Sequence, residues 1–308
     1  MDTSPAAAHA PDESDTRHQL VIGQQDRLIN LAYRMLGSLA DAKDAVQEGY
    51  TRWYALAPEQ RDAVKAPGAW LNTVVSRICL DVLGSARVRR EQYVGQWLPE
   101  PLPDSAEWPG PGADPAERIT LDESIDMAFL VVLDSMTPAE RVSFLLHDVF
   151  RYKFSEIADI VGRTPAACRE LASSARRRIR QARPAASPPD LRSAVVGAFK
   201  RAWQAKDVAS LVELLDPSAT AIADGGGHVA ASLAPVEGGA EIARFLVGLA
   251  ERAGALDLLE RTVNGQPGLV ATDGGGTTAV YAFDIVDGRI KRLWVVRNPE
   301  KLHIWPKH

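Results

Sequence analysis

Residues 154–180, FSEIADIVGRTPAACRELASSARRRIR, decide the reading of this chain, because they spell two short helices around a tight turn, the second with arginines along one face. Ser155 is expected to cap the first helix, whose apolar positions Ile157, Ala158, Ile160 and Val161 stop at Gly162, the residue type favoured just past a helix C-terminus. Thr164 then caps the second helix and Pro165 takes its first position. Cys168, Leu171, Ala172, Ala175 and Ile179 recur at helical period and form one buried stripe. Arg169, Ser173, Arg176 and Arg180 recur at the same offsets on another face, with Arg177 beside them. A helix-turn-helix of this shape lays its second helix in the DNA major groove. The pattern also suits a surface helix of a small bundle whose arginines are merely solvated.

Length and composition set the frame around this element. A chain of 308 residues suits two or three small domains, and 46% hydrophobic with 24% charged residues is the balance of a soluble globular protein. No apolar run reaches membrane-spanning length, and MDTSPAAAHAPDESD lacks the basic start and apolar core of a signal peptide. Residues 1–19 therefore read as a disordered acidic lead-in. Cys79 and Cys168 fall on apolar helix faces with no second Cys or His at ligand spacing, which argues against a disulfide framework or a metal site. A cytoplasmic setting without cofactor is expected. The net charge of -5 hides a basic excess in residues 18–90 and 127–187, a distribution consistent with phosphate binding.

Outward from the helix-turn-helix, the chain divides into four folded or linking parts. A first helical module spans residues 20–92. Its opening stripe is Leu28, Leu31, Ala32, Met35, Leu36 and Leu39, with a brief break at Gly37-Ser38. Asp41 is expected to cap the next helix, which buries Ala42, Ala45, Val46, Gly49, Trp53 and Leu56 and turns Asp44, Gln47, Glu48 and Arg52 outward. After a turn with Pro58 and Pro67, a third helix from about Gly68 buries Leu71, Val74, Val75, Ile78 and Val82 and ends in Arg87, Arg89 and Arg90. Residues 93–120 form a linker too rich in proline and glycine for a regular helix, yet Trp97, Leu98 and Trp108 predict that part of it docks.

A second helical module, 121–183, carries the capping box Thr137-Pro138-Ala139-Glu140 and ends in the helix-turn-helix. The last segment, 190–308, starts with helical patterns and turns to strands. Thr277–Ile285 and Arg289–Val296 flank Val286-Asp287-Gly288, a hairpin signal. An α+β fold with a curved antiparallel sheet is expected there.

The order of these pieces resembles a bacterial sigma factor of the extracytoplasmic-function group. The resemblance rests on LAYRMLGSLADAKDAVQEGYTRWYAL, on APGAWLNTVVSRICLDVLGSARVRR and on the helix-turn-helix, over residues of about 20–92 and 120–182. WLPEP at 97–101, DGGGH at 224–228 and NPEKL at 298–302 are similar to the motifs of a subgroup with a C-terminal SnoaL-like extension, a cone of the NTF-like type. Two positions depart from that pattern: His228 stands where the subgroup has Lys or Arg, and Glu300 where it has Asp. Above about pH 6.5 an unperturbed histidine loses its charge, so His228 supplies no permanent cation.

The resemblance implies a specificity subunit that brings RNA polymerase core to promoter DNA. Asp44, Gln47, Glu48, Arg52 and Trp53 then lie on the helix that docks on the beta-prime clamp, the second module meeting the beta flap. Trp70, Asn72, Arg77, Arg87, Arg89 and Arg90 are the candidates for the downstream promoter element, where unstacked bases need aromatic surfaces and cations. Trp70 is equally suited to the core. Thr164, Pro165, Arg169, Ser173, Arg176, Arg177 and Arg180 are the candidates for the upstream element. A regulatory contact is implied among Trp97, Leu98, Pro99, Glu100 and Pro101 of the linker, Asp224, Gly225, Gly226, Gly227 and His228 of the glycine turn, and Asn298, Pro299, Glu300, Lys301 and Leu302 near the end. A built-in extension of this kind makes a separate anti-sigma factor unnecessary.

Two other readings stay open at this point. The cone-shaped fold also hosts isomerases and cyclases that use a pocket carboxylate as general base, a role for which Asp224 and His228, at i and i+4, would be the pair, and it can hold a small molecule. A helix-turn-helix repressor with an effector domain is the third. The regulatory reading with no catalytic residue is favoured, because nothing else in the segment supplies a third catalytic group.

Overall fold

In the computed structural model the described residues are 23–91, 93–103, 126–182, 187–253 and 257–305, with the backbone alone for 86–91. The expected acidic lead-in, residues 104–120 of the linker with Trp108, and the first five residues of the expected second module, 121–125, lie outside them.

The first module is built from α1 (Gln25–Leu36), α2 (Leu39–Tyr54), the short α3 (Pro58–Ala63) and the long α4 (Pro67–Glu91). Gly37 ends α1 in a left-handed conformation, φ 71°, and its amide closes on the Tyr33 carbonyl. The cap of α2 is Ser38 and not Asp41: the extended Ser38 accepts from the Asp41 amide at 3.2 Å, so Asp41 sits inside the first turn. The stretch read as a turn between Pro58 and Pro67 holds α3, closed by the Gln60 side chain on the Ala57 amide. Pro67 is the first residue of α4, where its missing N–H costs nothing.

The second module contains α5 (Met127–Asp134), α6 (Pro138–Phe144) continued by a π-helical turn at Leu145–Val149, α7 (Phe154–Val161) and α8 (Pro165–Ala182). The expected Thr137–Glu140 capping box is present. Helix α7 starts at Phe154, two residues earlier than a cap at Ser155 implies. Its first turn is closed by Glu156 on the Lys153 amide, so Ser155 is not its cap. Gly162 ends it at φ 68°, and Thr164 Oγ1 accepts from the Ala167 amide to begin α8. Both modules share a continuous core, in which Val75, Ile78, Cys79 and Leu83 of α4 join Val142, Leu145, Ile157 and Ile160.

The last segment folds as α9 (Pro189–Gln204), α10 (Val208–Leu214), β1 (Leu215–Asp224), β2 (Val236–Glu237), α11 (Gly239–Ala253), β3 (Asp257–Val263), β4 (Gln266–Thr272), β5 (Thr277–Val286), β6 (Arg289–Val296) and α12 (Pro299–Leu302). Its six strands run in the order β2-β1-β6-β5-β4-β3. The expected antiparallel sheet is in fact mixed, since β1 pairs with β6 in parallel. The β3–β4 turn, Asn264-Gly265, and the β5–β6 turn, Asp287-Gly288, both place two successive residues at positive φ, as a tight hairpin of the right twist requires.

Each face of the sheet has its own cover. On one, Phe199 and Trp203 of α9 meet Phe283 and Tyr281 edge-on at 5.3 and 5.2 Å, and Trp203 Nε1 donates to the Leu246 carbonyl. These rings belong to the buried core between the helices and the sheet, and burial pushes the Tyr281 phenol up to about 12. On the other face, Val263, Val270, Val280, Ala282, Trp294 and Val296 are covered by Leu98 of the linker, Met127 and Ala128 of α5, and Leu302 and Trp305. Helix α5 is buried nearly all round, because it lies between that sheet and the shared core of the two helical modules. Among the described residues no helix is long and apolar enough to cross a membrane.

Candidate functional site

The outer face of α2 carries Asp44, Gln47, Glu48 and Arg52, all exposed, with Arg52 Nε 2.8 Å from Glu48 Oε1 one turn away. Trp53 does not share that face. It lies four residues after Gly49 on the buried stripe, is 4% exposed, and meets Trp70 edge-on at 5.2 Å. The exposed aromatic next to the polar face is Tyr54.

On α4 the downstream candidates are dispersed. Trp70 is half-buried against Trp53, Asn72 is buried, and Arg77 is exposed but engaged, its Nη2 donating to the Asp159 carbonyl at 2.8 Å. Arg87, Arg89 and Arg90 continue the same helix, and their side chains lie outside the described residues. The upstream candidates do form one open face: Thr164, Pro165, Arg169, Ser173, Arg177 and Arg180 are exposed along α8. Arg169 lies over the Phe154 ring at 5.2 Å, and Arg176 is half-buried in an ion pair with Asp148 at 2.9 Å.

The three short motifs converge on one carboxylate. Asp224, at the end of β1, is fully buried. Its Oδ1 accepts from the Tyr93 hydroxyl at 2.6 Å and the Gly226 amide at 3.0 Å. Its Oδ2 accepts from the Leu98 amide at 3.0 Å and Lys301 Nζ at 2.7 Å. Lys301 also donates to the Leu98 carbonyl and stands 4.2 Å over the Trp97 ring. Asn298 caps α12, and its Nδ2 donates to the Tyr93 hydroxyl at 2.9 Å. Burial, and then the bond to Asp224, raise the Tyr93 phenol well above its ordinary value. Gly226 cannot be replaced lightly, since it stands at φ 63° and a Cβ there would overlap the Asn298 amide. Pro299 and Glu300 are exposed, and His228, also exposed, stands 3.5 Å from Glu300.

One turn further along, the linker grips the first module. The Glu100 amide donates to the Gly37 carbonyl at 2.8 Å, while Glu100 Oε2 accepts from the Leu39 amide at 2.7 Å, at the N-terminus of α2 where a carboxylate is favoured. Burial nevertheless raises the Glu100 carboxyl. The Trp97 ring tip would lie 2.9 Å from a Cβ on Gly37, so that glycine is held by both its φ and this ring.

Asn264, at the β3–β4 turn, completes the grip. It pairs with Leu102 through both its amide and its Oδ1, and its Nδ2 donates to the Tyr33 hydroxyl, which donates in turn to the Glu100 carbonyl. Trp305 Nε1 donates to the Pro101 carbonyl at 2.9 Å. Residues 93–102 are thus clasped between α1–α2 on one side and the sheet domain on the other. Asn264, Tyr33, Tyr93 and Trp305 were not foreseen. An Asn-Gly pair between strand patterns was the available signal for Asn264; nothing local marked the rest.

Asp224 and His228 are not assembled as an acid–base pair: the carboxylate is taken up by linker groups and the imidazole faces Glu300. Among the described residues no cluster of three or more His, Cys, Asp or Glu could hold a metal ion.

Comparison with known proteins adds the following. The Sigma-70 region 2 family model matches residues 21–91 and the Sigma-70 region 4 model residues 126–179. The chain is 38% identical to the ECF RNA polymerase sigma factor SigJ of Mycobacterium tuberculosis, over 90% of each chain. It is 34% identical to the probable ECF RNA polymerase sigma factor SigI of the same species, over 89% of this chain and 91% of that one. The crystal structure of M. tuberculosis SigJ superposes with a TM-score of 0.73 at 33% identity, covering 95% of this chain and all of the other.

Proposed function

The chain belongs to the extracytoplasmic-function RNA polymerase sigma factors, and from that premise we propose that its C-terminal cone governs initiation by holding the linker between the two promoter-reading modules. The clasp around residues 93–102 carries this reading. A linker whose carbonyls and amides are paired to Asp224, Asn264 and Lys301 on one side and to Tyr33 and Gly37 on the other, with the Glu100 carboxylate on the Leu39 amide, cannot move independently of either domain.

In this reading Asp44, Gln47, Glu48 and Arg52 bind the beta-prime clamp of core polymerase. An exposed polar face on a rigid helix, beside Tyr54, suits a protein interface. Trp53 acts from beneath, fixing α2 on α4. The exposed face of α8 reads the upstream element in duplex form, with Arg169 and Thr164 nearest the helix start, and the second module meets the beta flap. Helix α4, with Arg77 and the arginines that follow, serves the downstream element.

Catalysis by the cone is the weaker reading. The engagement of Asp224 by four donors favours a holding role. The clamp assignment is tested by titrating core polymerase with the full chain carrying Asp44→Ala and Gln47→Ala. A fall of about tenfold in affinity with unchanged melting is expected; unchanged affinity would remove this face from the interface.

A further inference from the structure

Two arginines of the reading helix, Arg169 and Arg176, are both tied to one short stretch, the π-helical turn at Leu145–Val149. A turn of this kind is wider than an α-helical one, so it re-aims the side chains it carries, and such turns are frequent at functional sites. Here two consecutive residues reach different arginines. Asp148 Oδ1 accepts from Arg176 Nε at 2.9 Å, and Arg176 Nη1 lies 3.4 Å from Ser173 Oγ. His147 stacks on Phe154, with ring centres 4.0 Å and planes 27° apart, and the Arg169 guanidinium lies over that same Phe154 ring at 5.2 Å.

The turn that delivers Phe154 is held from both sides. Arg151 stands at φ 62°, a left-handed conformation that is unfavourable for a long side chain. The neighbouring bonds keep it there: the Tyr152 amide donates to the Leu146 carbonyl at 2.8 Å, and the Tyr152 carbonyl is 2.9 Å from His147 Nδ1. A carbonyl cannot donate, so Nδ1 carries the proton and the imidazole is fixed in the plane of that bond. Phe154, half-buried, therefore opens α7 with its ring clamped.

The two arginines are differently equipped as a result. An ion pair consumes in-plane donors, and Arg176 has given Nε to Asp148. Stacking on an aromatic face leaves the in-plane fork of a guanidinium available for a base edge, and Arg169 is exposed. An arginine steadied by its face has also lost rotamer freedom before it meets DNA, so less of that cost falls on recognition. We propose that Phe154, steadied by His147, is a positioning residue for promoter specificity, which pre-aims Arg169 at its base pair. The proposal rests on the reading of α8 as the upstream reader, and Phe154 itself needs no contact with DNA.

The test is run-off transcription by core polymerase with the full chain, on templates randomised across the upstream element, the transcripts being sequenced. Arg169→Ala identifies the base pair that Arg169 reads, as the one whose preference it flattens. Phe154→Leu keeps an apolar side chain but removes the aromatic face, and is the deciding variant. Its preference at that base pair is expected to fall about threefold to fivefold, the worth of an exposed cation–π contact, with preferences elsewhere kept. Phe154→Tyr retains the ring and should restore the preference, and His147→Ala should give a smaller fall at the same base pair. Melting curves confirm that each variant is folded before it is compared. Wild-type preference in Phe154→Leu at a base pair that Arg169→Ala flattens would overturn the positioning role and leave the reader in place. A fall spread evenly over all positions would give Phe154 a structural role only, and would overturn it as well. If Arg169→Ala flattens no position, the reader itself is lost and the positioning with it.

Discussion

Lys301 Nζ lies 2.7 Å from Asp224 Oδ2 in a buried ion pair, and the same ammonium stands over Trp97 of the linker. A buried charge that loses its partner is costly, about 3–5 kcal/mol. Lys301→Met is therefore expected to lower the unfolding free energy by about that much in denaturant titration. Adding Asp224→Asn should recover part of the loss, because the uncompensated charge is then removed. A single variant as stable as wild type would show that the pair is not buried in solution.

Asn264 separates turn geometry from clasping. At φ 50° it adopts a conformation that glycine also accepts, so Asn264→Gly should leave the β3–β4 hairpin intact. It removes the side-chain bonds to Leu102 and Tyr33. A loss of about 1–3 kcal/mol is expected, since the buried Leu102 amide is left without its acceptor and the Tyr33 hydroxyl, still donating to the Glu100 carbonyl, loses the bond it accepted. Unchanged stability, with faster proteolysis of the linker also absent, would remove Asn264 from the clasp.

Glu100 gives the clasp a pH dependence. Burial raises its carboxyl above the ordinary 4.5, so the folded state takes up a proton more readily than the unfolded one. The stability this group contributes is present below its unfolded value and is lost as pH rises through the raised one. Glu100→Gln keeps an acceptor for the Leu39 amide and does not titrate. The melting temperature of Glu100→Gln minus that of wild type is expected to grow between pH 4.5 and neutrality; a constant difference would contradict the assignment.

Arg169 tests the upstream reader. If it contacts a base, Arg169→Ala should weaken initiation at a matched promoter by about 1–3 kcal/mol while sparing a scrambled duplex. Equal loss on both would make it a phosphate contact.

Much of this architecture was legible because its signals are local. The helix-turn-helix came from Gly162, Thr164, Pro165 and the 3.6-residue apolar spacing, and the β5–β6 hairpin from Asp287-Gly288. WLPEP, DGGGH and NPEKL were expected to meet through family resemblance, and Asp224 is where they do. Parallel pairing of β1 with β6 leaves no local trace, since the partners lie far apart in sequence. Arg141 was invisible for another reason: a charged residue in a helix reads as solvated, whereas here it is buried by carbonyls from two modules. Trp53 was doubly assigned, and its position on the Ala42–Gly49 stripe already pointed inward.

The regulatory role of the cone stands or falls on run-off transcription with purified core polymerase, comparing the full chain with one ending at Pro188. Core-dependent transcripts from both are expected, with outputs differing severalfold because the second has lost the Asp224–Lys301 side of the linker clasp. Equal output from the two chains would contradict the regulatory role of the cone, and no transcript from either on any candidate promoter would contradict the promoter reading itself.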